Sequence, residues 1–180
     1  GISDNCGVET TTLSQSAFTC ANAGANNVTV TATDSSGNAT SQVVVVTVLD
    51  TAAPNAIVQN ITVQLDVTGN ATIDSADVDN GSNDNCSFTL TLAPTAFTCA
   101  DTGMNMVQVI ATDASGNTDT AMAMVTVQDT FSPALTANAA IAYLDNSGAV
   151  TIDTSFFNIT ATDGCALDTV TLSATTFNCQ

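Results

Sequence analysis

The sequence lacks lysine, arginine, histidine and tryptophan altogether. Its 17 acidic side chains therefore have no basic side chain to pair with, and the formal net charge is −17. A chain without cations cannot neutralise phosphates, which argues against binding to nucleic acid or to an anionic membrane surface. The usual general bases and oxyanion-stabilising cations of enzymes are missing for the same reason, so we expect no catalysis.

Long apolar runs are also absent, and no stretch approaches the length that crosses a membrane. The sequence has neither an initiator methionine nor a signal peptide, so we expect it to begin after processing or within a longer chain. Hydrophobic residues nevertheless make up 44% of the chain, and the mean hydropathy is +0.27. A disordered acidic tail would be poorer in apolar residues. We therefore expect a folded protein.

The distinctive positions recur every 79 to 80 residues, which is the signature of a repeat array. The motif A-T-D-S-S-G-N at Ala32–Asn38 returns as A-T-D-A-S-G-N at Ala111–Asn117, and Asp-Thr-x-x-Pro begins at both Asp50 and Asp129. Division at these segments predicts the C-terminal part of a repeat at 1–50, a complete repeat at 51–129, and the N-terminal part of a third repeat at 130–180. A one-residue change in a turn would explain the slip between 79 and 80.

Each repeat consists of short segments rich in β-branched residues, bounded by Gly, Asn, Asp or Pro, and no segment has a helical period. The D-S-S-G-N and D-A-S-G-N segments have the residues that a tight hairpin turn requires. About seven short strands in roughly 80 residues are typical of an immunoglobulin-like sandwich. The predicted fold class is all-β, with tandem immunoglobulin-like antiparallel β-sandwich repeats.

The order of motifs D-N-C, F-x-C, G-x-N-x-V, A-T-D-x-S-G-N and V-x-V-x-D-T-x-x-P resembles the hyalin-repeat (HYR) family. It is most similar to the variant found in giant surface adhesins of gliding and biofilm-forming Bacteroidota. The resemblance extends over nearly the whole chain. It implies an immunoglobulin-like fold, export by a type IX route to the extracellular cell surface, and a role as a stalk or filament in adhesion or gliding motility.

The six cysteines fall two to each repeat, with no Cys-x-x-Cys pair and no histidine, so zinc ligation and thioredoxin-like chemistry are disfavoured. We predict one disulfide inside each repeat: Cys6–Cys20, Cys86–Cys99 and Cys165–Cys179. A closed loop of about 14 residues would stabilise a small domain by roughly 3 kcal/mol. The alternative is that the cysteines are buried free thiols that pack as small hydrophobic groups.

Calcium is the one cofactor that the sequence suggests, because one loop and the two domain junctions are rich in hard oxygen ligands. The candidate ligands are Asp77, Asp79, Asn80 and Asp84 in the loop, with Asp50 and Asp129 at the junctions. The twelfth-position Glu of an EF-hand is missing, and the loop aspartates do not recur at Phe156–Asn158. Solvated loop carboxylates are therefore the alternative.

Candidate modification sites follow from the resemblance, because Bacteroidota proteins carry O-glycans at Asp-Ser or Asp-Thr followed by an apolar residue or Thr. Thr51, Ser75, Thr120 and Thr169 fit this pattern. In a chain this rich in Asp and Thr, chance matches are the alternative.

The last strand of each repeat is apolar on both faces. Its outward face, which should meet water in an isolated sandwich, contains Val43 and Val45 in one repeat and Met122 and Met124 in the next. We predict that this face contacts a neighbouring repeat or another strand. The alternative is that loops of the same domain cover it.

We predict an extracellular filament or adhesin stalk in which Pro54 and Pro133 restrict the hinges between domains. Its partners would be neighbouring repeats or subunits of the same filament, with surface glycans or other cells as further candidates. Two alternatives stay open, a glycan- or protein-binding module and the accessory domains of a large secreted enzyme. The half-repeats at the two ends fit either a window on a longer array or strands exchanged between subunits.

Overall fold

The structure is a computed structural model, and it describes residues 4–5 and 7–178. Strands dominate this part of the chain, which confirms the predicted all-β class. The strands are β1 (Val8–Leu13), β2 (Gly24–Asp34), β3 (Ala39–Val48), β4 (Ile61–Gln64), β5 (Asn70–Thr72), β6 (Phe88–Ala93), β7 (Ala96–Thr98), β8 (Gly103–Asp113), β9 (Thr118–Gln128), β10 (Ala134–Thr136), β11 (Ala149–Thr151), β12 (Thr160–Thr162) and β13 (Thr176–Asn178).

Within the described residues, helical structure is confined to short turns. One α-helical turn, α1, spans Ser75–Val78, and 3-10 turns span Cys20–Asn22, Cys99–Asp101 and Thr154–Phe156. No described helix has the length and apolar character needed to cross a membrane.

The strands form one sheet of three strands, one of four and three of two. In the three-stranded sheet, the order is β1-β2-β3, and in the four-stranded sheet it is β4-β9-β8-β6. The two-stranded sheets pair β5 with β7, β10 with β12 and β11 with β13. Strand β4 runs parallel to β9, with Ile61 opposite Val125. The other pairs whose register is known, such as β2 and β3, are antiparallel.

The predicted hairpin turns are confirmed at both copies of the A-T-D-x-S-G-N motif. Between β2 and β3, the Asp34 carboxylate accepts hydrogen bonds from the Ser36 and Asn38 backbone N–H groups, at 2.9 and 2.8 Å. Gly37 has φ +87°, a conformation that glycine adopts without strain. Asp113 accepts the equivalent bonds between β8 and β9. In both repeats, the carboxylate of the turn's own aspartate therefore stabilises the turn.

The pairing of β1 with β2 shifts register between Val8 and Thr10, where β1 has a β-bulge or a similar irregularity. A bulge inserts one extra residue into a strand. The predicted turn as the place of the one-residue slip between repeats stays a prediction.

Buried apolar side chains are concentrated in the predicted complete repeat, residues 51–129. Those with the largest fully buried side chains are Leu65, Val78, Phe97, Val107, Val109, Val125 and Val127. They come from the four-stranded sheet, from β7, from α1 and from the residue directly after β4, as expected for a sandwich whose two inner faces supply the core. Outside this repeat, Val28, Ala32 and Ile152 are buried.

The chain forms two compact units. One comprises Gly1–Ile57, Asn80–Thr91 and Val109–Ala121, and the other comprises Val58–Asp79, Leu92–Gln108 and Met122–Gln180. Each unit contains one Asp-Thr-x-x-Pro segment, whereas the complete sequence repeat contributes residues to both. Each compact unit therefore contains a junction between two sequence repeats. The repeat boundaries themselves stay a prediction.

Candidate functional site: the repeat junctions

Two disulfides enclose the two junction segments. Cys20 is bonded to Cys86 and Cys99 to Cys165, with Cα–Cα distances of 5.6 and 5.4 Å and a sequence separation of 66 in both cases. Asp50 lies between the first pair of cysteines along the chain. Each bond therefore joins a cysteine of one sequence repeat to a cysteine of the next.

The predicted pairing inside each repeat is wrong for these four cysteines. Cys86–Cys99 is not a bond, and Cys20 and Cys165 are bonded to other partners than Cys6 and Cys179, which both lie outside the described residues. The reason is the structure between the paired positions. Strand β6 belongs to the four-stranded sheet and β7 to the sheet with β5, so the chain leaves one sheet and enters the other between the two cysteines.

A signal against the predicted Cys86–Cys99 bond was present in the sequence. The segment Phe88–Leu92 alternates apolar and polar residues, and an extended strand advances about 3.3 Å per residue. Two cysteines on either side of such a strand are placed apart unless the chain turns back directly beside it. The strand prediction therefore argued against the disulfide prediction.

Close backbone packing surrounds the second disulfide. A Cβ at Gly69 would lie 2.5 Å from Cys99 Sγ and 2.5 Å from Gly164 O, and Gly69 has φ +78°. A Cβ at Gly164 would lie 2.6 Å from Val67 O. Both positions therefore require glycine, because any larger residue would force the disulfide and the backbone apart.

An acidic cluster lies at the first junction. One carboxylate oxygen from each of Asp50, Asp84 and Asp113 lies within 4.8 Å of the others. Asp113 is buried, and the other two are half-buried. At the second junction, Asp129 and Asp163, the repeat equivalents of Asp50 and Asp84, lie within the same distance of each other. The cysteine beside them is in a disulfide and cannot act as a thiolate ligand.

The carboxylates of the cluster differ in their hydrogen bonds. Burial opposes ionisation of Asp113, but hydrogen bonds from the Asn117 side chain and from the backbone of residues 115–117 outweigh it and lower its pKa. Asp84 Oδ2 accepts from Cys86 N at 3.0 Å, while Asp84 Oδ1 is buried without a hydrogen-bond partner. Asp50 Oδ1 accepts from the Asn85 side chain at 3.2 Å. The cluster therefore contains one buried carboxylate oxygen whose charge nothing in the described chain compensates.

The predicted calcium ligands are only partly brought together. Asp50 and Asp84 lie in one cluster, and Asp129 lies in the equivalent one. Asp77 instead accepts a hydrogen bond from Asp74 N at 2.8 Å, as part of the cap of α1. Asp79 and Asn80 make backbone contacts instead. Asp79 forms an antiparallel β-bridge with Val58, and the Asn80 N–H donates to Ile57 O. Neither belongs to the Asp50 cluster.

Sequence reasoning missed Asp113 as a cluster member. Its motif predicts a role in the hairpin turn alone, and the turn does use it. The Asn117 side chain reaches beyond the turn and donates to the Asp50 backbone carbonyl at 3.1 Å. The turn is thereby attached to the junction, a long-range contact that the local motif does not reveal.

The other candidate residues lie at the surface. Thr51, Thr120 and Thr169 are exposed and Ser75 is half-buried, and their glycosylation stays a prediction. Val43, Val45 and Met122 are exposed, and Met124 is half-buried. Loops of the same chain therefore do not cover the first three, and the contact predicted for this face stays a prediction.

Comparisons with known proteins give a weak structural likeness. No protein-family model matches the chain. No curated protein matches it either. Among solved structures, extracellular cadherin domains 1–4 of protocadherin gamma B7 match 88% of this chain, with 11% identity and a TM-score of 0.34. Domains 1–5 of protocadherin gamma B2 match the same share, with 12% identity and a TM-score of 0.33. This chain covers 51% and 40% of those two structures, respectively.

Proposed function

We propose that the chain is a non-catalytic structural or adhesive repeat of an extracellular filament or stalk at the cell surface. The observation that carries the proposal is that one disulfide at each junction joins two consecutive sequence repeats. Disulfides persist in oxidising compartments outside the cytosol, which supports an extracellular location. A crosslink between repeats serves a chain that has to transmit force along its length.

The disulfides define a short covalent path through the array. Under tension, force passes from Cys20 directly to Cys86, then along residues 87–98 to Cys99, and from there directly to Cys165. Only residues 87–98 can unravel between these two bridges. The junction segments lie inside the closed loops, so an unfolded junction would not lengthen the filament.

Single-molecule pulling between the ends of the chain tests this role. Reduction of one disulfide should release a loop that spans 66 positions, and each residue extends by about 3.5 Å, so the contour should lengthen by roughly 230 Å per bond. A variant with Cys20→Ser and Cys86→Ser should release one such length without reductant. If the oxidised wild-type chain extended to its full length, the disulfides would not restrain the junctions and the mechanical role would be lost.

We also propose that the cluster of Asp50, Asp84 and Asp113 binds calcium and closes the first junction. Calcium prefers several oxygen ligands and carboxylates in particular. The buried, unpartnered Asp84 Oδ1 supports the proposal, because an uncompensated buried carboxylate is unfavourable. No lysine, arginine or histidine is available to neutralise it. The Asp50–Asp84 pair recurs as Asp129–Asp163, so two equivalent carboxylates are available at the second junction.

Calorimetric titration with calcium tests the site. Asp84→Asn should weaken binding at least about tenfold, while the matched variant Asp168→Asn removes the same charge from an exposed residue outside the cluster and should leave binding unchanged. Calcium should also raise the thermal unfolding midpoint of the wild type, because a ligand that binds only the folded state stabilises it. Equal affinities for the two variants would show that the carboxylates are merely solvated.

The finer assignment is part of the proposal and rests on the sequence resemblance to hyalin-repeat adhesins. It comprises export by a type IX route and a role in gliding or biofilm adhesion. Immunogold labelling of intact cells checks it: label on surface filaments is the expected result, and label confined to a soluble secreted particle would instead favour accessory domains of an enzyme.

A further inference from the structure

All four methionines of the chain lie on one face of the four-stranded sheet. They are Met104 and Met106 on β8 and Met122 and Met124 on β9, and we call them the methionine face. The buried residues of these two strands, such as Val107 and Ala123, have the opposite parity, so the methionines lie on the side away from the core. Met104 is 77% exposed, Met106 57% and Met122 48%, and Met124 is half-buried. Packing in the core therefore does not account for them.

The methionines of the two strands meet across the sheet. Strands β8 and β9 are neighbours, and their hairpin has the same closing bond as the β2–β3 hairpin, 3.0 Å from the backbone N–H of the turn aspartate to the backbone oxygen of the turn asparagine in both. In β2–β3, Asn27 lies opposite Val45. Because equal turns impose equal register, their repeat equivalents Met106 and Met124 lie opposite each other. Met104 and Met122 then occupy the diagonal positions beside this pair.

The central pair of the methionine face is of the closely spaced kind. The Met124 N–H donates to Asn60 Oδ1 at 2.8 Å, and Asn60 directly precedes β4, which pairs with β9 on the side away from β8. An N–H that points away from the neighbouring strand marks a non-hydrogen-bonded pair, whose Cα atoms are about 4.5 Å apart. Diagonal neighbours are about 7 to 8 Å apart, within reach of long side chains. With three rotatable bonds each, the methionines can therefore bring their sulfur atoms to a common point.

This face differs from its equivalent in the preceding repeat by its sulfur atoms. There the four positions are Ala25, Asn27, Val43 and Val45. The two valines show that an apolar face at these positions does not require methionine. What methionine adds is a thioether, a soft ligand that favours Cu(I), whereas carboxylates and carbonyl oxygens suit calcium and magnesium.

The surroundings favour a soft cation at this face. In the part of the chain that the structure describes, all four cysteines are in disulfides, so no thiolate there competes with the thioethers for the ion. The net charge of −17 raises the concentration of cations at the protein surface. The chain has no lysine, arginine or histidine that would repel a bound cation.

We propose that the methionine face binds a Cu(I) ion through its thioether sulfurs. The site shares no residue with the carboxylate cluster of Asp50, Asp84 and Asp113, and the two differ in the class of cation that their ligands prefer. A thioether has no proton to lose before it binds a metal, unlike a thiol or a carboxylic acid. The inference goes beyond the proposed filament function and does not depend on it, because a single chain has every ligand.

Anaerobic titration with Cu(I), in competition with a chromophoric Cu(I) chelator, tests the site after any free thiols have been alkylated. The double variant Met106→Leu and Met124→Leu keeps the apolar surface and a similar side-chain volume, so it should fold, but it loses the central sulfur pair. It should bind Cu(I) at least about 10-fold more weakly than the wild type, since loss of even an outer-shell partner of a metal has an effect of that size. The matched control is Val43→Leu with Val45→Leu on the equivalent face, which should bind like the wild type.

An excess of calcium separates thioether from carboxylate ligation. Cu(I) on the methionine face should stay bound, because calcium does not compete for thioethers. Displacement of Cu(I) by calcium would overturn the inference, and so would equal affinities of the wild type and the double leucine variant. A wild type without affinity for Cu(I) would overturn it too. If that protein self-associated in sedimentation velocity and the double variant did not, the methionines would be an adaptable protein contact instead.

Discussion

The complete repeat and the carboxy-terminal segment contain the same small sheet in different surroundings. β5–β7 and β11–β13 have three residue pairs each in identical antiparallel register. Ile73 and its equivalent Ile152, directly after the first strand of each pair, are buried in both. Phe97 is 2% exposed and Phe177 47%, although each lies in a two-stranded sheet, which cannot bury a whole face alone. Pairing is thus decided locally, while burial of the ring depends on what else packs against the pair of strands.

Among the changes that test this comparison, removal of a disulfide should have the largest effect on stability. Cys99 lies in the complete repeat and Cys165 in the carboxy-terminal segment, and loss of a bond that closes a loop of this length should destabilise the chain by about 4 kcal/mol. The variant with Cys99→Ser and Cys165→Ser should therefore lose the carboxy-terminal segment first. Hydrogen exchange of β11 and β13 measures this. Protection of β11 and β13 equal to that of the wild type would show that the segment holds without the bond.

Truncation of the equivalent phenylalanines should give the second-largest effect, a difference in the free energy of unfolding between the two regions. Phe97→Ala removes a fully buried ring and should lower the free energy of unfolding by about 3 to 4 kcal/mol. Phe177→Ala removes a half-exposed ring and should lower it by less than about 1 kcal/mol. Denaturant unfolding in dilute solution measures both. Equal losses would contradict the view that the burial of Phe97, and not its strand pairing, sets the size of its contribution.

The two hairpin asparagines should differ by a smaller amount. Asn117 donates from its side chain to the Asp113 carboxylate at 2.7 Å and to the Asp50 carbonyl at 3.1 Å. Asn38 makes the equivalent bond to Asp34 at an exposed turn. Asn117→Ala should lower the free energy of unfolding by about 1 to 2 kcal/mol, and Asn38→Ala by about 0.5 kcal/mol. The same denaturant experiment decides it, and equal effects would mean that the bond to the junction contributes nothing.

Acid titration should show the smallest difference, because the turn aspartates act locally in both regions. Hydrogen bonds from the Thr68 side chain, the Asn70 N–H and the Thr68 N–H lower the pKa of Asp66. The Ser147 side chain, with the N–H groups of Ala149, Ser147 and Gly148, does the same for Asp145. A carboxyl whose folded pKa is below its unfolded value stabilises the fold above that unfolded value, near 3.8, and this contribution disappears as pH falls through the folded pKa.

The variants Thr68→Ala and Ser147→Ala sharpen that prediction. Each should raise the pKa of its aspartate toward the ordinary value, by similar amounts in the complete repeat and in the carboxy-terminal segment. Carboxyl titration followed by NMR measures the shift for each residue. A shift at Asp66 alone would show that the turn at Asp145 is not formed in solution.

Some features were predictable because they depend on neighbouring residues. The hairpins follow from Asp, Gly and Asn at set spacings, and most strands follow from β-branched runs, so these predictions were confirmed. The strand predicted at Val170–Leu172 is not formed, so that prediction was wrong. The prediction of the disulfide partners was wrong, because cysteines that are close along the chain bond here to cysteines 66 positions away. Asp113 was missed as a member of the acidic cluster because its role in the turn accounted for it fully at the local level.

A β-rich repeat array with a large uncompensated negative charge could be predicted from the linear chain, since repeat period, strand pattern and composition are properties of its residue order. Three contacts became visible in the folded chain alone: Cys20 bonds to Cys86, Asp50 lies beside Asp84 and Asp113, and Phe97 is buried while Phe177 is exposed. Such contacts depend on which sheet receives each strand. Residues of nearly identical local sequence therefore differ when different elements pack against them.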